Sequence, residues 1–210
     1  MNNVSYDELN ILSFEDYFDV MEISKGQKKS RVLLAGAFLD AFLFIFAYAK
    51  RLKGKPQAKQ EISAMVKDEV IKIIPSKFKT NGKVTDKFIS YYVEILVASL
   101  AKTITDSLMF DDSYYLSYDR AFRLAASEAN TVENYSDYAD ALSSGKTQKT
   151  WLTEQDERVR PTHAIVDGKT IGISEFFRVG SANMRFPHDI LYASDHPEEL
   201  INCRCSIAYK

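Results

Sequence analysis

The stretch "YADALSSGKTQKTWLT", residues Tyr138 to Thr153, decides the fold class. Up to Leu142 the apolar residues recur at helical spacing, and from Thr147 the chain turns to short Thr- and aromatic-rich runs of strand character. Gly145 lies between the two textures. It is a natural helix stop, because the left-handed conformation that closes many helices costs glycine nothing at Cβ. The expectation is an α+β protein. An N-terminal helical region of about four helices precedes a small sheet-containing module that starts near residue 146.

Working back from Gly145, "YYLSYDRAFRLAASEANTVENYSDYADAL" predicts one long helix, with Asp112 or Ser113 as its N-cap. Before it, "KFISYYVEILVASLAKTITDSLMF" predicts another, capped by Asp86, and "KTNGK" predicts the turn that leads in. Pro75 stops the preceding helix, whose apolar face is Ile62, Met65, Val66, Val70, Ile73 and Ile74. The first helix contains "VLLAGAFLDAFLFIFAYA", Val32 to Ala49, with a single charge. That is long enough for a marginal membrane span. Asp40 at its centre would cost about 2.5–3.5 kcal/mol on insertion scales, and bases flank both ends. The expected form is therefore a helix buried in a bundle, with Asp40 paired or at an interface, and no membrane partner.

Forward of Gly145, "TQKTWLT" predicts a strand with Trp151 as a core anchor. "DGKTI" predicts a hairpin-type turn, and "FFRVGSANMRFP" and "LINCRCSIAY" predict further extended pieces. The division expected is an acidic N-terminal arm over 1–24, a helical region over 25–112, and a domain over 113–210 made of the long helix and the module.

The chain has 210 residues, of which 46% are hydrophobic and 27% charged. That suits one large domain or two small ones. Its two cysteines provide no disulfide framework and predict a reducing compartment. The opening residues show no cationic segment followed by an apolar run, so no secretory leader is expected. Charge is segregated: residues 1–22 carry six acids and no base, and residues 25–59 carry nine bases against Asp40. Residues 106–140 carry eight acids against Arg120 and Arg123. Either the acidic stretches dock on the basic one, or the basic block meets phosphate or an acidic partner.

Cys203 and Cys205 are one residue apart, and a disulfide across so small a ring would be strained. Thiolate, imidazole and carboxylate are the ligand set of zinc. Besides the cysteines, the candidates are His163, His188, His196, Asp156, Asp167, Glu128 and Asp195. One reading is zinc held by His163, Cys203 and Cys205, with Asp156 or Glu128 completing the set. The preferred reading is metal-free and without a cofactor. In it both thiols lie in the closing strand, facing Trp151 and the His163 turn. Arg204 faces outward, and Asp156, Arg158, Arg160 and His163 form one hydrogen-bonded cluster. "DHPEELINCRC" also imitates the residue order of an HNH-type nuclease, so a metal-dependent nuclease or hydrolase is an alternative. No glycine-rich phosphate loop or Ser–His–Asp order is present, and nothing in the sequence demands an enzyme.

One pattern is more specific. "RLAASEAN" supplies Leu124, Ala125 and Glu128, and "WLTEQDERVRPTH" supplies Trp151, Thr153, Asp156, Arg158, Arg160 and His163. Asp167 and Gly168 follow, then Phe186, Pro187 and Asp189, then Asn202 to Cys205 in "NCRC". In this order the motifs, over about residues 115–210, resemble the C-terminal domain of the phage Mu F-type minor head proteins, the phage head morphogenesis family. Arg160 and His163 stand where some relatives carry a Cys-x-x-Cys pair, and Leu200-Ile201 where many carry His-Pro. The resemblance implies a structural protein of a tailed-phage head that is made in the host cytoplasm. It would bind the portal protein and a capsid or scaffolding protein inside the capsid near the portal vertex, and would assist assembly and DNA packaging or ejection. Glu128, Trp151, Asp156, Arg158, Arg160, His163, Asp189 and Asn202 would then form a structural cluster. The helical region would contact the portal, and its basic flanks would face packaged double-stranded DNA. A third alternative is the delivery domain of a phage-derived toxin.

Overall fold

The computed structural model describes residues 13–74, 83–110 and 113–210. A short helix α1 (Phe14–Asp19) leads into four long ones, α2 (Lys25–Arg51), α3 (Ala58–Ile73), α4 (Lys83–Phe110) and α5 (Tyr118–Ser143). The sheet-containing module follows, so the α+β expectation holds.

Helix α2 starts at a reciprocal cap: Ser24 Oγ accepts from Gln27 N at 3.2 Å, and Gln27 Oε1 accepts from Ser24 N at 3.0 Å. Its buried residues are Arg31, Leu34, Ala35, Phe38, Ala41, Phe42, Ile45, Phe46 and Ala49, a stripe at coiled-coil spacing. By length and composition α2 is apolar enough to cross a membrane, and 44% of its most apolar window is buried inside the protein. Asp40, expected to be paired or at an interface, is solvent-exposed. It lies on the exposed face, in a shallow groove shared with Glu69 and Lys72 of α3, because the stripe leaves that face outside.

The other helices obey their spacing. Ile62, Val66, Val70 and Ile74 are fully buried in the α3 segment, whereas Met65 and Ile73 are half-buried. Residues 75–82, with the expected "KTNGK" turn, lie outside the described residues. Helix α4 begins at Lys83, so Asp86 is inside it and is not its cap. Asp112 also lies outside the described residues, and Ser113 is not the α5 cap. Ser113–Leu116 winds as a 3-10 turn, and Ser117, at φ −85° and ψ 160°, caps α5 by accepting from Arg120 N at 3.2 Å. Gly145 closes α5 as expected. At φ +72° it lets Lys146 N reach Ala141 O (3.0 Å) while its own N–H reaches Leu142 O (3.2 Å).

Part of the charge segregation is internal: Lys28 pairs with Asp19, and Arg31 with Asp137. The acidic N-terminal stretch packs on the body from Phe14 on, whose ring stacks on Phe122 at 4.3 Å.

In the module, β1 (Gln148–Leu152) is the central strand of an antiparallel sheet ordered β2-β1-β5, with β2 at Thr170–Gly172 and β5 at Ser206–Tyr209. Trp151 faces Ile207 and Lys149 faces Ile171 and Tyr209 across the ladders. The "DGKTI" turn does not close a tight hairpin. The connection from β1 to β2 contains the short helix α6 (Pro161–Ala164), and Asp167 fastens its two ends by accepting from Thr153 N at 2.8 Å. The tight hairpin is instead β3 (Phe177–Val179) with β4 (Ala182–Met184), turned at Gly180 with φ +58°. Helices α7 (Ile190–Ala193) and α8 (Pro197–Leu200) lead to the last strand.

Helix α5 joins the two halves. Phe88 of α4 stacks on Tyr135 at 3.7 Å, and Phe186 of the module meets Tyr138 at 5.0 Å. Arg31 is fully buried and donates to Asn130 Oδ1 (3.0 Å), Asn134 Oδ1 (2.9 Å) and Asp137 Oδ2 (3.1 Å). The amide groups of the same two asparagines donate onward to Cys203 O (3.2 Å) and Pro187 O (3.1 Å).

Lys149 occupies a core position of β1. Its Nζ donates to Ile173 O and Glu175 O, both at 2.7 Å, under the Tyr138 and Phe177 rings. Burial, with Arg185 nearby, pushes its pKa down to about 8.

Two outcomes follow. Arg31→Met leaves two buried amide oxygens without their donor and Asp137 with Gln27 alone, and lowers stability by about 3 kcal/mol, read as a lower urea midpoint at unchanged m. Above pH 8 the folded chain releases the Lys149 proton while the unfolded chain, with its ordinary value of 10.5, still holds it. Stability therefore rises with pH in that window. Between pH 8 and pH 10 the wild type gains stability relative to Lys149→Met in paired urea titrations.

Candidate functional site

The module's three short helices and the lead-in to β5 place the functional side chains. Asn202, at φ +57°, turns the chain out of α8, and residues 203–205 belong to no helix or strand before β5 begins at Ser206. The cysteines are therefore not in the closing strand but just ahead of it. This freedom from the ladder lets both side chains turn to one side. Cys205 Sγ lies 3.3 Å and Cys203 Sγ 3.5 Å from Nδ1 of His163, and the three ligand atoms lie within 4.8 Å of one another. All three residues are buried, and the cysteines are free thiols.

His163 sits on α6, which Pro161 starts with its fixed φ. The ring stands edge-on to Trp151 at 5.8 Å. Its Nε2 lies 3.1 Å from Glu199 Oε2, which also accepts from Thr162 Oγ1 at 2.8 Å. With Glu199 accepting at Nε2, the lone pair of the neutral imidazole falls on Nδ1, the atom that faces both sulfurs. Gly180 makes room for this carboxylate, since a Cβ there would stand 2.1 Å from Glu199 Oε1.

The expected cluster is divided. Asp156 accepts from Arg158 and, with both oxygens at 2.8 Å, from Arg204, and these bonds hold its carboxyl below the usual range against its burial. Arg204 is thereby half-buried and bound to Asp156. Arg160 donates to Ile201 O. Neither Asp156 nor Arg160 reaches His163. Asp189 is fully buried and binds Arg185 through N (3.0 Å), Nε (2.7 Å) and Nη2 (2.9 Å). Glu128 accepts from Tyr92 OH at 2.7 Å in a separate cavity of about 180 Å³ lined also by Thr131 and His188, where burial raises its pKa. His188 lies between Thr131 Oγ1 (3.0 Å) and Cys203 O (2.7 Å). His196 and Asp195 stand outside the thiol group, on Ser181 and Ser194, and Asp167 is spent on the β1–β2 loop.

The sequence reading missed Glu199 and Glu154. Glu154 follows β1 and lines a cavity of about 20 Å³ together with His163, Asn202, Cys203, Arg204 and Cys205. Its Oε1 is buried with no hydrogen-bond partner among the described residues, as is Nη1 of Arg204. Burial pushes the Glu154 carboxyl up to about 7. The hydrogen bond from Cys205, with help from the two histidines, holds the Cys203 thiol well below its usual range, while the same bond and burial push Cys205 up. No spacing rule joins Glu154 or Glu199 to the cysteines, so only the fold could reveal them.

The arrangement can hold one small cation or one water, and it ties α6, α8 and the β5 lead-in together. Among the described residues, His163, Cys203 and Cys205 form the only group of three or more such side chains spaced to hold a metal. A family profile described as Phage Mu protein F like protein matches residues 95–208. The NAD(+)--arginine ADP-ribosyltransferase EFV of Enterococcus faecalis (strain ATCC 700802 / V583) is 28% identical over 140 residues, which take in 60% of this chain and 28% of that protein. The chain thus spans under a third of the length of this curated relative. No solved structure matches.

Gly180→Ala tests the room kept for Glu199. It destabilises the chain by about 1 kcal/mol more than Gly54→Ala, a site with similarly positive φ (+77°) and open space around it. Equal thermal shifts in the two variants would show that Glu199 yields without cost.

Proposed function

The chain belongs to the Phage Mu protein F like family of phage head proteins, and on that premise we propose that it is a structural minor head protein of a tailed phage, acting by binding rather than catalysis. The observation that carries the reading is the extent of the match. It takes in part of α4, all of α5 and nearly the whole module, including the asparagines that bond α5 to the module. On this reading the protein sits inside the capsid near the portal vertex, bound to the portal protein and to capsid or scaffolding protein, and assists head assembly and DNA packaging or ejection. Before assembly it resides in the host cytoplasm.

Two surfaces support such contacts. Met109 and Phe110 at the end of α4 and Tyr118 at the start of α5 are 70%, 76% and 62% exposed. Apolar and aromatic groups of this kind are the residues interfaces bury. At the turn from α2 to α3, Lys50, Arg51, Lys53, Lys55 and Lys59 are all exposed. That patch suits packaged double-stranded DNA, where each phosphate contact adds salt-sensitive affinity. Helix α2 is then a bundle helix, with Asp40 in water rather than in lipid.

A second reading draws on the ADP-ribosyltransferase relative: the family domain can be the carrier part of a toxin. It needs an effector domain elsewhere, since the matched stretch is under a third of that protein.

Mass spectrometry of purified particles detects the chain, and co-expression with the portal protein yields a complex. Replacing Met109 and Phe110 with Glu lowers portal co-purification about tenfold at unchanged far-UV circular dichroism. Particles that lack the chain, together with no portal complex, would overturn the reading.

A further inference from the structure

We infer that the module holds one zinc-type divalent ion, coordinated by Nδ1 of His163, Sγ of Cys203 and of Cys205, and a carboxylate oxygen of Glu154. This site is independent of the head-protein reading, since it rests on side chains of the module alone.

Three observations carry the inference. The ligand atoms of His163, Cys203 and Cys205 lie within 4.8 Å of one another, a separation that a bound ion would draw into a tetrahedral set. The space they line, about 20 Å³, has room for a single ion or water. Glu154 lines the same space with Oε1 buried and unpartnered among the described residues; its carboxylate stands outside the 4.8 Å group and turns in to complete the set, leaving the side of the cavity where Nη1 of Arg204 is likewise unpartnered. A buried carboxylate oxygen left without a donor is costly, and a cation would remove that cost. The two carboxylates expected from the sequence do not line this space: Asp156 is turned to Arg158 and Arg204, and Glu128 lies in the separate cavity beside Tyr92.

The surroundings match what metal-ligating histidines use. Glu199 accepts at Nε2 of His163 and is itself held by Thr162, so the ring is oriented with Nδ1 toward the ion. Glu199 is thus a positioning residue. On uptake the two thiol protons leave to solvent, and His163 enters as the neutral imidazole. Four protein ligands leave no open position, so the ion is structural. It ties the segment after β1, helix α6 and the approach to β5 into one unit.

The test uses the full chain, purified reduced and without chelator. Elemental analysis gives one zinc per chain. Cobalt added to zinc-stripped protein produces thiolate-to-cobalt charge-transfer bands and the intense visible bands of a tetrahedral site. Glu154→Gln keeps the volume but removes the anionic ligand. It shifts the visible cobalt bands and weakens affinity, while the charge-transfer bands remain. Glu199→Gln weakens affinity by about 10–100-fold without shifting the bands, because no ligand changes. Substoichiometric zinc with no thiolate bands from cobalt would overturn the site. An unchanged cobalt spectrum in Glu154→Gln would overturn the assignment of its fourth ligand.

Discussion

Arg31 has no side-chain surface in contact with solvent, and its guanidinium is held by two asparagines and an aspartate of α5. Asn130 and Asn134 use their oxygens for Arg31 and their amide groups for backbone carbonyls of the module, at Cys203 and Pro187. An asparagine can serve both sides because one side chain carries an acceptor and two donors. The N-terminal helix, α5 and the C-terminal module are thereby set in one register. Apolar packing alone would permit α2 to slide along the alanine-rich face of α5. A buried charge with directional partners does not, since any shift leaves it uncompensated.

The module applies the same device on a smaller scale. Its strands are three to five residues long, too short to fix their connections by ladder hydrogen bonds. Charged side chains take over. Asp167 clasps the β1–β2 loop, Asp189 binds Arg185, and Asp156 fastens Arg204 beside the cysteines. Many of the residues that carry the family pattern are these clasps, which is why the pattern is scattered through loops. The cysteines and His163 belong to the same scheme, joining the last strand to α6 through side chains where backbone pairing is absent.

A protein built in this way suits a role in an assembly. Its core is fixed internally by polar contacts, while the ends of α4 and α5 and the basic α2–α3 turn present exposed side chains at the surface. The family match takes in part of α4, all of α5 and nearly the whole module, and most of the helical region before residue 95 lies outside it.

The sequence alone determined the helices, the switch to a sheet module and the closure at Gly145. Each rests on local physics: the 3.6-residue apolar period, the β-prone composition, and glycine's tolerance of positive φ. It also carried the family pattern. Where it failed locally, a neighbouring turn intervened, as when the 3-10 segment at Ser113–Leu116 moved the cap of α5 to Ser117. It did not say which face of α2 would turn Asp40 to solvent, because an apolar composition conceals which side a helix turns outward. It named His163 beside the cysteines, but the carboxylates around them were beyond it. His163, Glu154 and Glu199 come from three separate segments, and their meeting depends on a left-handed residue at Asn202 and a missing Cβ at Gly180. Periodicity describes what one element does with its own neighbours. Which carboxylate faces which thiol is decided only when loops from distant parts of the chain are packed against each other, and that the tertiary structure alone decided.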